Sequence, residues 1–167
     1  LNPDRKCESE LSGWRKKEMM VPIDLVNDAP YFTKSTTHFS VMEDTPVQII
    51  GFGIKDPDVN LPGITGHLDF TIHSDRGGEF LNLTMGSKFN CTGSIKYLNE
   101  LVKNLVYQPP LHVYGNIHIK MTVNDLGYYG DFGLKIAEAD VTVHVAPVND
   151  RCDIFGPKSV FVKEDER

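Results

Sequence analysis

The feature that most constrains this chain is a short stretch, Val26-Asn27-Asp28-Ala29-Pro30, that closes one strand-like run and occurs again in altered form about one domain later. Val26-Asn27-Asp28 returns as Val148-Asn149-Asp150, with the two asparagines 122 residues apart. Each copy closes an alternating apolar run: Met19, Val21 and Ile23 before the first, Val141, Val143 and Val145 before the second. Each is followed by another alternating run that ends in acid. These are Phe39-Ser40-Val41-Met42-Glu43-Asp44 and Val160-Phe161-Val162-Lys163-Glu164-Asp165, whose glutamates Glu43 and Glu164 lie 121 residues apart. Three features in one order at nearly one period mark a tandem repeat. Residues 1–30 then read as the C-terminal piece of a preceding repeat with its linker. Residues 31–150 read as one complete repeat, and 151–167 as the start of the next.

A length of 167 residues suits one domain with room for a real core. Its 40% hydrophobic and 24% charged residues make a globular composition rather than a disordered one. The formal charge of -6 argues against nucleic acid as a partner, because phosphate binding needs a basic surface. The same charge permits cation binding wherever the carboxylates cluster. No run of 18 apolar residues exists, so no direct insertion of a helix into a membrane is expected in this segment. The cysteines Cys7, Cys91 and Cys152 are odd in number, which leaves at least one thiol unpaired within the segment. They show no CxxC spacing of the kind a zinc ribbon uses. Two sequons, Asn82-Leu83-Thr84 and Asn90-Cys91-Thr92, lie within about ten residues of one another and favour a secreted protein glycosylated at Asn82 and Asn90.

The alternation of apolar residues predicts strands over 19–23, 38–42, 47–54, 68–72, 80–84, 117–123 and 137–145. Gly51 reads as a bulge inside the third of these. Asn27-Asp28-Ala29-Pro30 reads as a short stiff linker, because proline forces Ala29 into an extended conformation. Over 94–104 the period changes: Ile95, Leu98, Leu101, Val102 and Leu105 recur at helical spacing. The sum is an all-β chain: an antiparallel, Ig-like β-sandwich of about seven short strands with one short helix near 95–104.

Acids concentrate at the expected ends of this domain: Asp28, Glu43, Asp44, Asp56, Asp58, Asp125, Asp150, Glu164 and Asp165. Calcium takes six to eight hard oxygen ligands from carboxylates, backbone carbonyls and Asn side chains. Asp56-Pro57-Asp58 offers two carboxylates from one tight turn, and Asn27-Asp28 an amide oxygen beside a carboxylate. Such groups repel when they meet without a metal; a divalent ion would neutralise them and lock the linker. Acidic turns are also simply soluble turns, but recurrence at the repeat period favours the metal.

At this point the sequence resembles a known family. Asn27-Asp28-Ala29-Pro30-Tyr31-Phe32 resembles the inter-repeat linker of cadherins, and Asp56-Pro57-Asp58 resembles their Asp-Ala-Asp calcium motif. Glu43 sits where the calcium-binding glutamate of their first strand falls, and Asn124-Asp125-Leu126-Gly127 resembles the segment before their last strand. The middle of the chain is similar to the cadherin-like tandem repeats of large surface adhesins. There, Leu98-Asn99-Glu100-Leu101, Tyr107-Gln108-Pro109, Tyr114-Gly115 and Thr122-Val123-Asn124-Asp125 follow the expected order. The likeness covers roughly residues 19 to 165. It implies a cadherin-like sandwich with Ca2+ at repeat junctions, stiffening a rod that works in adhesion outside the cell or at its surface. The implied ligands are Asn27, Asp28, Asp56 and Asp58 at the first junction and Glu43, Asn149 and Asp150 at the second, with Asp125 a further candidate ligand. The implied partners are neighbouring repeats and another surface or matrix protein. Leu25 and Pro147 replace the linker's first Asp, and Ala29 and Arg151 its second Asn. Each lost oxygen weakens a site, so fewer or weaker ions are expected than in true cadherins, the second junction being the poorer.

Catalysis is not expected. No Gly-x-Ser-x-Gly elbow occurs, Cys91 lies in a sequon, and the six histidines are scattered, with His38, His118 and His144 at outward strand positions. A second reading from a different class is a glycan- or ligand-binding sandwich that uses loops 59–66 and 126–136. Tyr128, Tyr129 and Phe132 in the latter loop are expected to be partly exposed.

Overall fold

The computed structural model describes residues 24, 26–59, 66–83, 86–127, 130–149, 151–152, 155–156, 158–159 and 164. In chain order the elements are β1 (Tyr31–Lys34), β2 (His38–Met42), β3 (Val47–Gln48), β4 (Phe52–Lys55), β5 (His67–Ser74), β6 (Glu79–Phe80) and β7 (Lys88–Ser94). There follow α1 (Ile95–Lys103), β8 (Val106–Gln108), β9 (Gly115–Asn124) and β10 (Ile136–Ala146). The strand expected at 19–23 and the alternating run that begins at Val160 lie largely outside the described residues.

Five strands form one sheet in the order β2-β10-β9-β5-β7, and two smaller sheets, β1-β4 and β3-β8-β6, supply the other strands. Among the described residues the result is an all-β sandwich of ten strands with one short helix. Alternation explains the long strands directly. On β9, Ile117, Ile119, Met121 and Val123 are wholly buried, while Asn116, His118 and Lys120 between them are exposed. β5 contributes Leu68, Phe70 and Ile72 to the same core, and β10 contributes Val141, Val143 and Val145. Across the sandwich they meet Ile54, Phe80, Leu98 and Tyr107. Each fully buried aliphatic or aromatic side chain contributes about 1.5–3 kcal/mol. His38, His118 and His144 stand on the exposed face, as their strand positions require.

The pairing is antiparallel except at one edge, where β2 runs parallel to β10 with Phe39 opposite Val143. The run expected as one strand over 47–54 is in fact two. Gly51 sits at φ 86° between them, and a Cβ there would fall 1.8 Å from Ser35 Oγ. The chain turns at this point and crosses sheets: β3 pairs with β8 and β4 with β1. The strand expected over 80–84 is only β6, because a turn begins at Leu81. That turn is held by Asn82, whose Nδ2 donates to Asn104 O and whose Oδ1 accepts from Val106 N at 3.0 Å.

The helix falls where its period places it. Ser94 caps it by accepting from Tyr97 N at 3.3 Å, Lys103 lies in its last turn, and Leu98 and Val102 face the core. Asn99 then fastens it to the sheet. Its Oδ1 accepts from Ile54 N at 2.8 Å and its Nδ2 donates to Ile54 O at 2.9 Å. The amide thus takes the hydrogen-bonding role of a missing strand beside β4 and blunts that edge.

Candidate metal centre

Three loop segments close over one pole of the sandwich: the linker before β1, the turn after β4 and the turn between β9 and β10. Val26 forms a parallel bridge with Asp131, and Asn27 N donates to Asp131 O at 3.2 Å. This draws the Asn27 side chain inward until it is 0% exposed. Its Nδ2 donates to Asp125 Oδ2 at 2.7 Å and to Gly133 O at 2.6 Å. Asp125, also 0% exposed, accepts on Oδ1 from Gly127 N at 2.9 Å and Lys135 N at 2.7 Å. An Asn-Asp-x-Gly turn folds this way because its short acidic side chain reaches the backbone amides beyond it.

The Asp-Pro-Asp turn behaves alike. Asp56 Oδ1 accepts from Asp58 N at 2.9 Å and from Val59 N at 3.4 Å, and Asp58 Oδ2 accepts from Asp28 N at 2.6 Å. Asp56 is 3% exposed and Asp58 7%. The Asp28 side chain is exposed, so this residue joins the cluster through its backbone amide.

Among the described residues two oxygens of the cluster have no donor: Asn27 Oδ1 and Asp56 Oδ2 are both buried and unpartnered. A buried acceptor left unpaired costs on the order of 1–3 kcal/mol, and more if it is charged. Burial pushes the Asp56 carboxyl above its usual range, and the charges of Asp58 and Asp125 push it the same way, against the amide donors of Asp58 and Val59. The pole therefore gathers negative charge and acceptor lone pairs in excess of hydrogen-bond donors. Among the described residues no three carboxylate, imidazole or thiol groups form a cage by themselves. A hard cation here would also draw on the Asn27 amide oxygen and on backbone carbonyls, which are ordinary ligands for calcium.

Glu43 lies at the far pole. It follows β2, its N–H donates to Ala146 O at 2.9 Å at the end of β10, and its Oε2 is buried without a partner. β10 spans 11 residues from the first pole to the second, roughly 34 Å. Asn149 is exposed there, no described contact joins it to Glu43, and Asp150 lies outside the described residues. Of the expected ligands, then, Asn27, Asp56, Asp58 and Asp125 come together, while Glu43 stands apart at the other end.

Both expected glycan acceptors are exposed. Asn90 projects from β7 and donates to Thr71 Oγ1 at 2.9 Å, beside Thr92, whose hydroxyl donates to Asp69 Oδ1 at 3.0 Å. Phe132 is 78% exposed, whereas Tyr128 and Tyr129 lie outside the described residues. The structural role of Asn99 was not foreseen. Its signal was the Leu98-Asn99 pair inside a helical period, where an asparagine facing the sheet has no reason to be unless it bonds backbone. No protein-family model, no curated protein and no solved structure matches this chain.

Proposed function

We propose that this chain is a cadherin-like, calcium-binding repeat of an extracellular or cell-surface protein, whose role is to stiffen a multi-repeat rod that works in adhesion. The observation that carries the reading is the pair of buried, donorless oxygens, Asn27 Oδ1 and Asp56 Oδ2, set among the carboxylates of Asp58 and Asp125. Hydrogen bonds already hold one oxygen each of Asp56 and Asp58 in place, so the donor set is oriented before any ion arrives. These residues fit a hard divalent cation: all are oxygen donors, and none is a thiol or imidazole. Bound there, the ion would supply the positive charge that the pole lacks. Asn27 and Asp28 belong to the linker, so fixing them fixes the direction in which the chain enters the sandwich.

Two exposed sequons, at Asn82 and Asn90, favour passage through the secretory pathway. The role we assign is structural and not catalytic. Burial and the Asp69 charge raise the Cys91 thiol, the opposite of what a nucleophilic cysteine needs. The partners we propose are the neighbouring repeats and a surface or matrix protein.

Thermal melting in a calcium titration tests the cation reading. An ion at about 100 times its Kd stabilises by about 2.7 kcal/mol, which is a rise in Tm of about 5–10 °C for a chain of this size. A Tm indifferent to calcium, in protein first stripped with chelator, would overturn it.

A further inference from the structure

We propose that the groove between β1, β4 and α1 binds an acidic saccharide, a sugar chain bearing carboxylate or sulfate groups. The groove has a volume of about 610 Å3, within the range of small-molecule sites. Its shape follows from the local fold. The register of β1 and β4 sets Tyr31 opposite Lys55 and Thr33 opposite Gly53, so these four residues share one face. Gly53 opens the floor: a Cβ there would come 2.8 Å from Thr33 Oγ1 and 3.4 Å from Asn99 Oδ1. Asn99 ties α1 to β4 across that floor, and its second amide hydrogen bond, to Ile95 O at 2.8 Å, holds it within the helix. The two walls are therefore fastened together, and little ordering cost falls on binding.

The lining selects the ligand. Lys55 from β4 and Lys96 from α1 both line the groove, and both are exposed. Among the described residues neither makes an ion pair or a hydrogen bond through its side chain. Asp56 also lines the groove but is only 3% exposed, so in a chain of net charge -6 the two exposed, uncommitted ammonium groups set a local preference for an anion. Two lysines are too few for nucleic acid, whose binding rests on many phosphate contacts. Tyr31 is 47% exposed and offers a flat face beside a hydroxyl, and Thr33 offers a second hydroxyl. Aromatic face, hydroxyls and ammonium groups together match a sugar ring carrying an acid, which has an apolar face, hydroxyl partners and a charge. This groove is distinct from loops 59–66 and 126–136, the expected location of a glycan site; Asp56 and Pro57 also line it, so it adjoins the candidate metal centre.

The test is calorimetric binding of the full chain to size-defined heparin and hyaluronan oligosaccharides, with neutral dextran oligosaccharides and inorganic sulfate as comparators. At least one acidic oligosaccharide binds; whether heparin or hyaluronan binds better distinguishes sulfate from carboxylate recognition. Neutral dextran does not bind, and added salt weakens the complex. Lys55→Gln and Lys96→Gln each weaken binding roughly tenfold, and Tyr31→Ala about fivefold. Lys34→Gln, the same charge change on the opposite face of β1, leaves binding unchanged. Binding by neither acidic oligosaccharide, equal binding of neutral dextran, equal affinity for inorganic sulfate alone, or wild-type binding by the Lys55→Gln/Lys96→Gln double variant would each overturn the proposal. The calcium-dependent rise in Tm is retained in all these lysine variants, so the groove and the cation site fail separately.

Discussion

The two poles of this domain carry the two linker asparagines of the repeat, Asn27 and Asn149, and treat them in opposite ways. At the first pole Asn27 is fully buried, because the β9–β10 turn and the segment around Asp131 and Gly133 fold over it. At the second, Asn149 is exposed just past the end of β10, and the buried acid nearby, Glu43, comes from another segment. A short motif therefore supplies oxygens, but it does not by itself supply a site. The site comes from the two turns, after β4 and between β9 and β10, that converge on the linker carrying Asn27.

The largest expected effect that could break this contrast is on stability. Asp125→Ala removes a buried carboxylate that accepts from Asn27, Gly127 and Lys135, and should cost about 3–4 kcal/mol in urea unfolding, leaving one buried and two part-buried donors without this partner. A loss below 1 kcal/mol would mean that the first pole is no better organised than the second. Next comes the metal response. Asp56→Asn/Asp58→Asn should abolish the calcium-dependent rise of about 5–10 °C in Tm, while Glu43→Gln should leave most of it. Equal loss in both variants would place the ion at both ends. The two asparagines can then be compared directly: Asn27→Ala should cost about 2 kcal/mol, and Asn149→Ala less than about 0.5 kcal/mol. Equal costs would show that their difference in burial is without energetic consequence.

The smallest expected effect concerns pH. Burial raises the folded-state pKa of Asp56, so without metal its deprotonation opposes folding. Its penalty is absent below the ordinary carboxylate range and grows as pH rises from that range through the raised folded value. In chelator, Asp56→Asn should therefore gain stability relative to the native protein as pH is taken from about 4 to 7. With calcium present the sign should reverse, because the ion needs the charge. A difference independent of pH in chelator would show that Asp56 carries no such penalty.

Much of the architecture was legible because it is periodic. β2, β5, β9 and β10 alternate strongly enough to be read from residue order, and α1 betrays itself by the change of period between Ile95 and Leu105. β1 and β8 were not legible as strands, β3 was not separable from β4, and β6 was read as longer than it is. At two to four residues each, their identity is a matter of pairing, which no local pattern records. β7 was hidden for another reason: its inward positions are Phe89, Cys91 and Gly93, and the last two give little apolar signal. The same holds for the site. Asn27, Asp56, Asp58 and Asp125 were marked by composition and turn chemistry, but nothing in their spacing reveals that Asn99 must mimic a strand beside β4.

Residue order alone determined the class of fold, the long strands, the helix and the positions of the acidic turns, because each depends on neighbours a few residues away. Tertiary structure decided where β3 parts from β4, that β2 lies parallel to β10, and which of the two linker asparagines is buried. Those outcomes depend on burial and strand pairing between segments up to 106 residues apart, as between Asn27 and Gly133. Local chemistry has no means of expressing contacts of that range.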